Sequence, residues 1–238
     1  MAETVAERIA RVIGERIVSG ELAAGTALRQ DKVAEEFEAS HVPAREAFQL
    51  LRARGLVVSE PRRGIRVAPL DGWSIQEIVE IRASLETLAL RLAAPRMNAA
   101  SHEKIEEALI AGDQAKNITE WEQANRAFHR ALVAPCKMPR LLTMLDDLQL
   151  ANSRIIFSAT RTAGWQPVSS NAHRKILNAL KERNISGAIA MLDAHIRRLE
   201  QPETENGADS MQPDVQNTRV GQASARPNGK LSGKSRPA

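Results

Sequence analysis

Three of the five histidines in the 238-residue chain stand on different predicted helices of its C-terminal two-thirds. They are His129, His173 and His195, and Asn125 lies one helical turn before the first of them. Imidazole nitrogens bind several divalent first-row metals, and side chains on facing helices of a bundle can converge on one ion. The sequence therefore offers these histidines as candidate metal ligands, with zinc first among the ions that we expect.

Apolar spacing and helix-ending residues predict the elements that carry these histidines. Strand patterns are absent from Ser74 onward, and breaks at Pro and Asn positions separate six predicted helices. We expect these helices at about 74–94, 99–115, 119–134, 139–159, 169–183 and 185–200. An all-helical domain at 74–201 follows from this pattern. Residues 202–238 are rich in Pro, Gly, Ser, Asn and Gln, which predicts a disordered tail.

The N-terminal segment has a different organisation. Helical spacing predicts helices at 4–19 and 30–37, and a third helix that Ser40 caps and that runs to about Arg54. Two β-prone segments, 57–60 and 65–68, flank a basic turn and predict a hairpin. Residues 1–69 therefore read as a winged helix-turn-helix, joined by a linker at Pro69–Trp73 to the helical domain. The expected fold class is mostly α, with a winged helix-turn-helix followed by an all-α bundle.

Positive charge is concentrated at the third helix and the hairpin. Between His41 and Leu70 there are six arginines and two glutamates, as a surface that faces DNA phosphates requires. The start of a recognition helix normally contacts base edges, and the arginines of a wing and the residue before the second helix can contact the phosphate backbone. The predicted DNA contacts are Arg29, Ser40, His41, Val42, Pro43, Arg45, Arg62, Arg63 and Gly64.

Composition limits the other classes of function. Apolar residues make up 43% of the chain, which is enough for a packed core, and the net charge of +4 permits nucleic acid as a partner without requiring it. The single cysteine, Cys136, excludes an internal disulfide and fits a reducing compartment, so we expect a cytoplasmic location. Signal-peptide and membrane-spanning patterns are absent.

Two alternatives come from other classes of protein. Three histidines around a metal with an open coordination position can activate water, as in a metallohydrolase. No Glu or Asp stands at the offset of an H-E-x-x-H motif, however, and nucleophile-elbow and Walker patterns are absent, so we expect no enzyme activity. The other alternative is a pure interaction or architectural protein whose histidines are structural, which binds no metal and no small molecule, and whose DNA affinity does not respond to metabolites.

Residues 25–69 resemble the winged-helix domain of the GntR family of bacterial transcription regulators. The matching segment is GTALRQDKVAEEFEASHVPAREAFQLLRARGLVVSEPRRGIRVAP, and its specific parts are P-x-R-E-A, L-x-x-x-G-L and R-R-G-x-x-V. The resemblance implies that Arg29, Arg45 and the wing around Arg63 contact DNA, and that a homodimer binds a palindromic operator. His41 and Val42 depart from the family, which usually has arginine and a small polar residue there, so base preference should differ.

The C-terminal part is similar to the ligand-binding domain of the FadR branch, in the subgroup called FCD. The matching stretches are EIVEIRASLETLALRLAA, NRAFHRAL and HRKILNALKERNISGAIAMLDAHI. In that family an acidic residue and three histidines hold a divalent metal beside a carboxylate effector. The resemblance maps His129, His173 and His195 onto those histidines and puts Asn125 where aspartate is common.

An amide oxygen is a weaker ligand than a carboxylate, so Asn125 should lower metal affinity and leave the site one unit more positive, which suits an anionic effector. Arg82 on the first helix of the bundle can contact the effector carboxylate, or it can pair with Glu86 at i, i+4. Together, the two resemblances imply a transcription regulator, expected to be a repressor, whose operator affinity responds to a small carboxylate metabolite.

Overall fold

The computed structural model describes residues 3–164 and 171–198. Its N-terminal part consists of α1 (Val5–Val18), β1 (Ala27–Leu28), α2 (Gln30–Glu36), α3 (His41–Ala53), β2 (Val57–Glu60) and β3 (Gly64–Val67). The strands form an antiparallel sheet in the order β1-β3-β2, in which Ala27 pairs with Arg66 and Val57 pairs with Val67. This is the winged helix-turn-helix that the sequence predicts, with one short additional strand, β1.

Helix α1 begins at a capping box and packs by one apolar stripe. Thr4 accepts a hydrogen bond from the backbone of Glu7, whose side chain bonds back to the Thr4 backbone, so two N–H groups at the helix end are satisfied. Ile9, Ile13 and Ile17 recur at helical spacing and are at most 2% exposed. They pack in one core with residues of α2, α3 and the sheet, which fixes the orientation of α3.

The remaining described helices form the bundle. They are α4 (Gly72–Ala93), α5 (Ala99–Asp113), α6 (Ile118–Val133), α7 (Pro139–Ala163), α8 (Asn171–Lys181) and α9 (Ile185–Arg197), with short 3-10 turns at Ala94–Arg96 and Ala134–Cys136. Side chains of Asp71, Asn98, Asn117 and Asn184 cap four of these helices. The bundle has its own hydrophobic core, built from residues of α4 to α9.

Several predicted boundaries need correction. Ser40 has extended backbone at the N-cap position of α3, but its side chain makes no capping hydrogen bond. Helix α4 begins at Gly72, so Trp73 belongs to the helix and not to the linker, because the Asp71 carboxylate caps the backbone N–H of Ser74. Helix α7 continues to Ala163, beyond the predicted end. The predicted tail and the predicted helix start at 169–170 lie outside the described residues.

Two arginines of α7 connect the bundle to the winged helix. Buried Arg154 donates a hydrogen bond to the carbonyl of Ala68 at 2.7 Å, and Arg161 donates to the carbonyl of Ser19 at 2.6 Å. Both acceptors are backbone carbonyls at the ends of winged-helix elements, so side chains of α7 bind the main chain of the winged helix. Among the helices in the described ranges, none has the length and apolar character that a bilayer crossing requires.

Candidate functional site

Three helices bring the predicted histidines together in the bundle. His129 lies on α6, His173 on α8 and His195 on α9, and their candidate ligand nitrogens all lie within 4.8 Å of one another. The Nε2 atoms of His173 and His195 are 3.1 Å apart. Phe128 stacks on the His173 ring at a centroid distance of 4.0 Å, which restricts the orientation of that ring. Residues far apart in the sequence therefore form one imidazole cluster.

Glu86 of α4 orients the most buried imidazole of the cluster. The Nδ1 atom of His129 lies 2.7 Å from the Glu86 carboxylate, and both side chains are 1% exposed. Because Nδ1 is hydrogen-bonded to Glu86, Nε2 is the nitrogen of this ring that would bind a metal. A carboxylate behind a histidine ligand fixes its tautomer and raises its basicity, which is the usual arrangement around metal-bound histidines.

Arg82 and Gln149 complete the surroundings of Glu86. The Nε atom of Arg82 donates to the Glu86 carboxylate at 2.9 Å, and the Gln149 side-chain amide donates to it at 2.8 Å. Burial raises the pKa of the Glu86 carboxyl, but the charges of Arg82 and His129 and their hydrogen bonds lower it to about 2. Glu86 is therefore ionised near neutral pH. The i, i+4 pairing that the sequence left open for Arg82 is present, and a contact between Arg82 and an effector stays a prediction.

The donor set fits a divalent ion such as zinc. Two imidazole nitrogens bound to one tetrahedral zinc, each at about 2.0 to 2.1 Å, lie roughly 3.3 Å apart. The 3.1 Å separation of the two Nε2 atoms is close to this value. Asn125 is 3% exposed and lies one helical turn before His129, on the same side of α6. It stays a predicted fourth ligand, and an amide oxygen in that place would bind more weakly than a carboxylate.

A cavity of about 680 Å³ adjoins this network on the side of Glu86 and His129. Residues of α4, α6 and α7 line it, among them Arg126 and Arg130, one turn apart on α6. The amide oxygen of Gln149 is buried in its wall and accepts no hydrogen bond from any described residue. This cavity is large enough for a small metabolite, and it offers both cationic and amide groups to a ligand.

The start of α3 presents the predicted base contacts to solvent. Ser40, His41 and Arg45 are exposed, and Val42 is 52% exposed although it is apolar. Pro43 is partly buried in the first turn of the helix, where the absence of its N–H costs no hydrogen bond. Gln30 of α2 donates to the carbonyl of His41 at 2.8 Å, which fixes the turn between the two helices. Arg45 makes no ion pair with any described residue.

The wing presents further cations. Arg62 is exposed and has φ of +64°, and Gly64 has φ of +77°, a left-handed conformation that glycine adopts without strain. Arg63 lies 3.6 Å from Glu60, and Arg29, before α2, pairs with Asp31 at 2.9 Å. Of the arginines in this region, Arg66 alone has a role in the sheet, because it donates to the carbonyl of Gly25 at 2.7 Å.

Sequence reasoning missed part of the metal environment. Glu86 was expected only as an alternative partner of Arg82, and neither Gln149 nor Phe128 was singled out. The contact between Glu86 and His129 joins residues 43 positions apart, and the one between Gln149 and Glu86 joins residues 63 positions apart. Such contacts depend on tertiary packing, so no local spacing in the sequence indicates them.

Comparison with known families gives two matches that together cover most of the described chain. Residues 5–67 match the family described as bacterial regulatory proteins, gntR family. Residues 77–198 match the family described as FCD domain, which is about half of the chain. The first match contains α3 and the wing, and the second contains the three histidines and Glu86.

Individual relatives agree with these matches. The chain is 30% identical over 199 residues to the "Probable D-xylose utilization operon transcriptional repressor" of Paenarthrobacter nicotinovorans, covering 81% of this chain and 86% of that protein. A GntR family member from Pseudomonas syringae pv. tomato is 26% identical, with a TM-score of 0.52 over 82% of each chain. McbR/YncC of E. coli, 22% identical, has the same fold, with a TM-score of 0.69 over 83% of this chain and 95% of that chain.

Proposed function

Because the chain belongs to the GntR family of bacterial transcription regulators and carries an FCD domain, we propose that it is a homodimeric repressor. In this proposal its operator affinity is set by a small carboxylate effector that binds beside a divalent metal ion. Membership of this family makes the chain a transcription regulator and not an enzyme. The proposed division of the chain is a DNA-binding domain at 1–69, an effector domain at 74–201 and a tail at 202–238. Repression is proposed because the D-xylose relative is named a repressor.

The proposed operator surface is the N-terminal end of α3 together with the wing. Arg45 is assigned to a guanine edge or a phosphate, and His41 and Val42 to neighbouring base edges. Arg29, Arg62 and Arg63 are assigned to phosphates. Their exposure supports this assignment, as does the absence of an ion pair at Arg45 and Arg62 among the described residues.

The proposed homodimer explains why a palindromic operator is expected. Trp73, Ile81 and Leu88 recur at helical spacing on α4 and are 84%, 39% and 39% exposed. An exposed apolar stripe of this kind is typical of an interaction surface, and a two-fold dimer buries the same stripe of both copies. Leu88→Glu should convert dimer to monomer in light scattering, whereas Met191→Glu, on an exposed apolar residue of α9, should leave the dimer intact.

The proposed metal site carries most of the functional argument. The single observation on which it rests is the convergence of three imidazoles, one of which is oriented by a buried carboxylate. His129, His173 and His195 would hold the ion, with Asn125 as the fourth protein ligand. When bound, a divalent ion would supply a Lewis-acidic position for an effector carboxylate, and the chain itself supplies orientation through Glu86, Arg82 and Gln149.

The proposed effector is a small carboxylate that binds beside this site. The cavity adjoining Glu86 and His129 supports this, since Arg126 and Arg130 line it and can make charge-assisted hydrogen bonds to an anion. Arg82 stays in the proposal as a cation of the site, held in place by Glu86. An effector changes operator affinity only through its different affinity for the two states of the dimer, typically about 5- to 150-fold.

Selection of genomic fragments by the purified full-length protein tests this function. At about 0.15 M salt, nonspecific attraction to phosphates is largely screened. Recovery of one palindromic sequence by wild type, and its loss with Arg45→Ala, is the expected result. Genes beside that sequence then nominate carboxylates to test for release of the operator. Recovery of unselected DNA both with and without zinc would contradict the proposal.

A further inference from the structure

A second cavity, of about 410 Å³, lies between the winged helix and the bundle. Its walls come from α1 and the end of α3 on one side, and from α6 and α7 on the other. None of the three histidines lines it, nor do the exposed residues at the start of α3 or on the wing. Its volume is in the range of small-molecule sites, which occur preferentially at interfaces between domains.

The cavity combines an apolar wall with a few charged groups. Val18, Leu56, Leu150 and Phe157 supply apolar surface from both modules. Gly14 of α1 also lines it, and a Cβ there would contact the side chains of Leu56 and Leu51, so the leucines pack closely against this face of the helix. An aliphatic or aromatic group would therefore be desolvated on entry, which is the main favourable contribution to binding in sites of this type.

One cation that lines this cavity makes no ion pair with a described residue. Glu15 pairs with Arg11 at 3.4 Å, and buried Glu122 pairs with Arg126 at 2.9 Å, so both acids of the lining are neutralised. Arg54 also lines the cavity and forms no ion pair with any described residue.

The charge of Arg54 also acts on an acid of the bundle that lies outside the cavity lining. Burial raises the pKa of the Asp147 carboxyl on α7, and the charge of Arg54 acts in the opposite direction. The Arg54 guanidinium therefore lies near both modules, although Asp147 itself is not part of the lining.

We propose that this interdomain cavity is a second ligand site, for a small organic anion that joins an apolar body to one carboxylate, sulfonate or phosphate group. Arg54 binds the anionic group by a charge-assisted hydrogen bond, and the apolar wall binds the body. Because the lining comes from both modules, a bound ligand stabilises the arrangement in which they enclose it. Gln123, Arg126 and Leu150 line both cavities, but Arg54 lines this one and not the cavity beside the histidines. The inference therefore does not depend on the metal or on the effector of the histidine site.

The dye 1-anilinonaphthalene-8-sulfonate is a suitable probe, since it joins a sulfonate to aromatic rings and fluoresces when desolvated. Full-length wild type should bind it at a saturable site. Arg54→Gln should raise the dissociation constant of the dye about 10-fold, as the loss of a hydrogen bond to a charged group implies. Arg52→Gln, an exposed arginine of α3 outside the cavity, and Arg130→Gln, which lines only the cavity beside the histidines, should change it less than 2-fold.

A filling variant tests the location independently. Val18→Trp should abolish saturable binding, with cooperative thermal unfolding as the check that the protein is folded. If Val18→Trp does not fold, the exposed Arg54→Gln decides the question alone. Absence of saturable dye binding by wild type overturns the proposal. An Arg54→Gln affinity equal to that of Arg52→Gln also overturns it, as does a loss of affinity with Arg130→Gln that equals or exceeds the loss with Arg54→Gln.

Discussion

The operator surface and the histidine cluster depend on opposite physical environments. The surface residues at the start of α3 and on the wing are exposed, and they come from the short segment 40–64. The cluster residues come from α6, α8 and α9, and its supporting residue Glu86 comes from α4. His129 and Glu86 are each 1% exposed, so solvent screens their interaction much less than it screens the charges of the wing.

This difference predicts how each region responds to substitution. A residue of the operator surface can be removed with little effect on folding, because the ion pairs it makes, such as that of Arg63 with Glu60, are exposed and contribute little stability. A residue of the buried network cannot, because Arg82, Glu86 and His129 satisfy one another's charge or hydrogen bonds. Exposed contacts should therefore change DNA affinity alone, whereas buried contacts should change both stability and metal affinity.

The largest effect should come from Glu86→Gln. Removal of the carboxylate breaks the buried ion pair between Arg82 and Glu86, and loss of one member of such a pair costs about 3 to 5 kcal/mol of unfolding free energy in comparable proteins. Zinc affinity should also fall about 10- to 100-fold, as for other residues that orient metal-bound histidines. Denaturant titration and calorimetry measure the two effects. Glu77→Gln, an exposed residue of the same helix, is the control, and an unfolding free energy equal to that of this control would refute the role of Glu86.

Arg45→Ala should produce the next largest effect, on DNA alone. A base or phosphate contact of this kind contributes about 10-fold in operator affinity. Unfolding free energy and zinc affinity should stay at the wild-type values, because Arg45 is an exposed residue of α3 in the winged helix and belongs neither to a hydrophobic core nor to the histidine cluster. Fluorescence anisotropy with the selected operator measures the loss. Arg91→Ala, at an exposed position of α4, serves as the control. If both variants bind the operator equally well, α3 is not the recognition helix.

Arg62→Ala should have the smallest effect, and it should be independent of DNA sequence. A phosphate contact weakens binding uniformly and lowers the slope of log affinity against log salt by about 1. Measurement of operator and unrelated duplex at several salt concentrations gives this slope. Loss of affinity for the operator only, with an unchanged slope, would show that the wing reads bases and not phosphates.

The same contrast explains what the sequence predicts and what it does not. Residues 40–64 act through local structure, in which helix starts, turn residues and charge can be read from neighbouring positions. The hairpin and all the helices of the bundle were predicted for that reason, although α7 ends later and α4 begins earlier than expected. Strand β1, only two residues long, was missed because its two residues carry no alternating pattern.

The histidine cluster was predicted in its ligands but not in its support. The chain has only five histidines, and the family resemblance matched three of them to metal-binding histidines. Their mutual distances, and the bond between Glu86 and His129, depend on how four helices pack. Arg82 shows the limit clearly, since its spacing along α4 allowed either a partner within the helix or an effector contact. The pair with Glu86 is present, and the effector contact stays a prediction.

Zinc titration of wild type and His173→Ala, with operator affinity measured on the same samples, tests the account most directly. Wild type should bind one zinc ion per chain, and His173→Ala should lose at least about 100-fold in zinc affinity, since one of three imidazole ligands is removed. His102→Ala, on α5 outside the cluster, should bind zinc like wild type, and all three proteins should bind the operator equally in the absence of effector. Zinc binding by His173→Ala at wild-type strength would contradict the assignment of the metal centre.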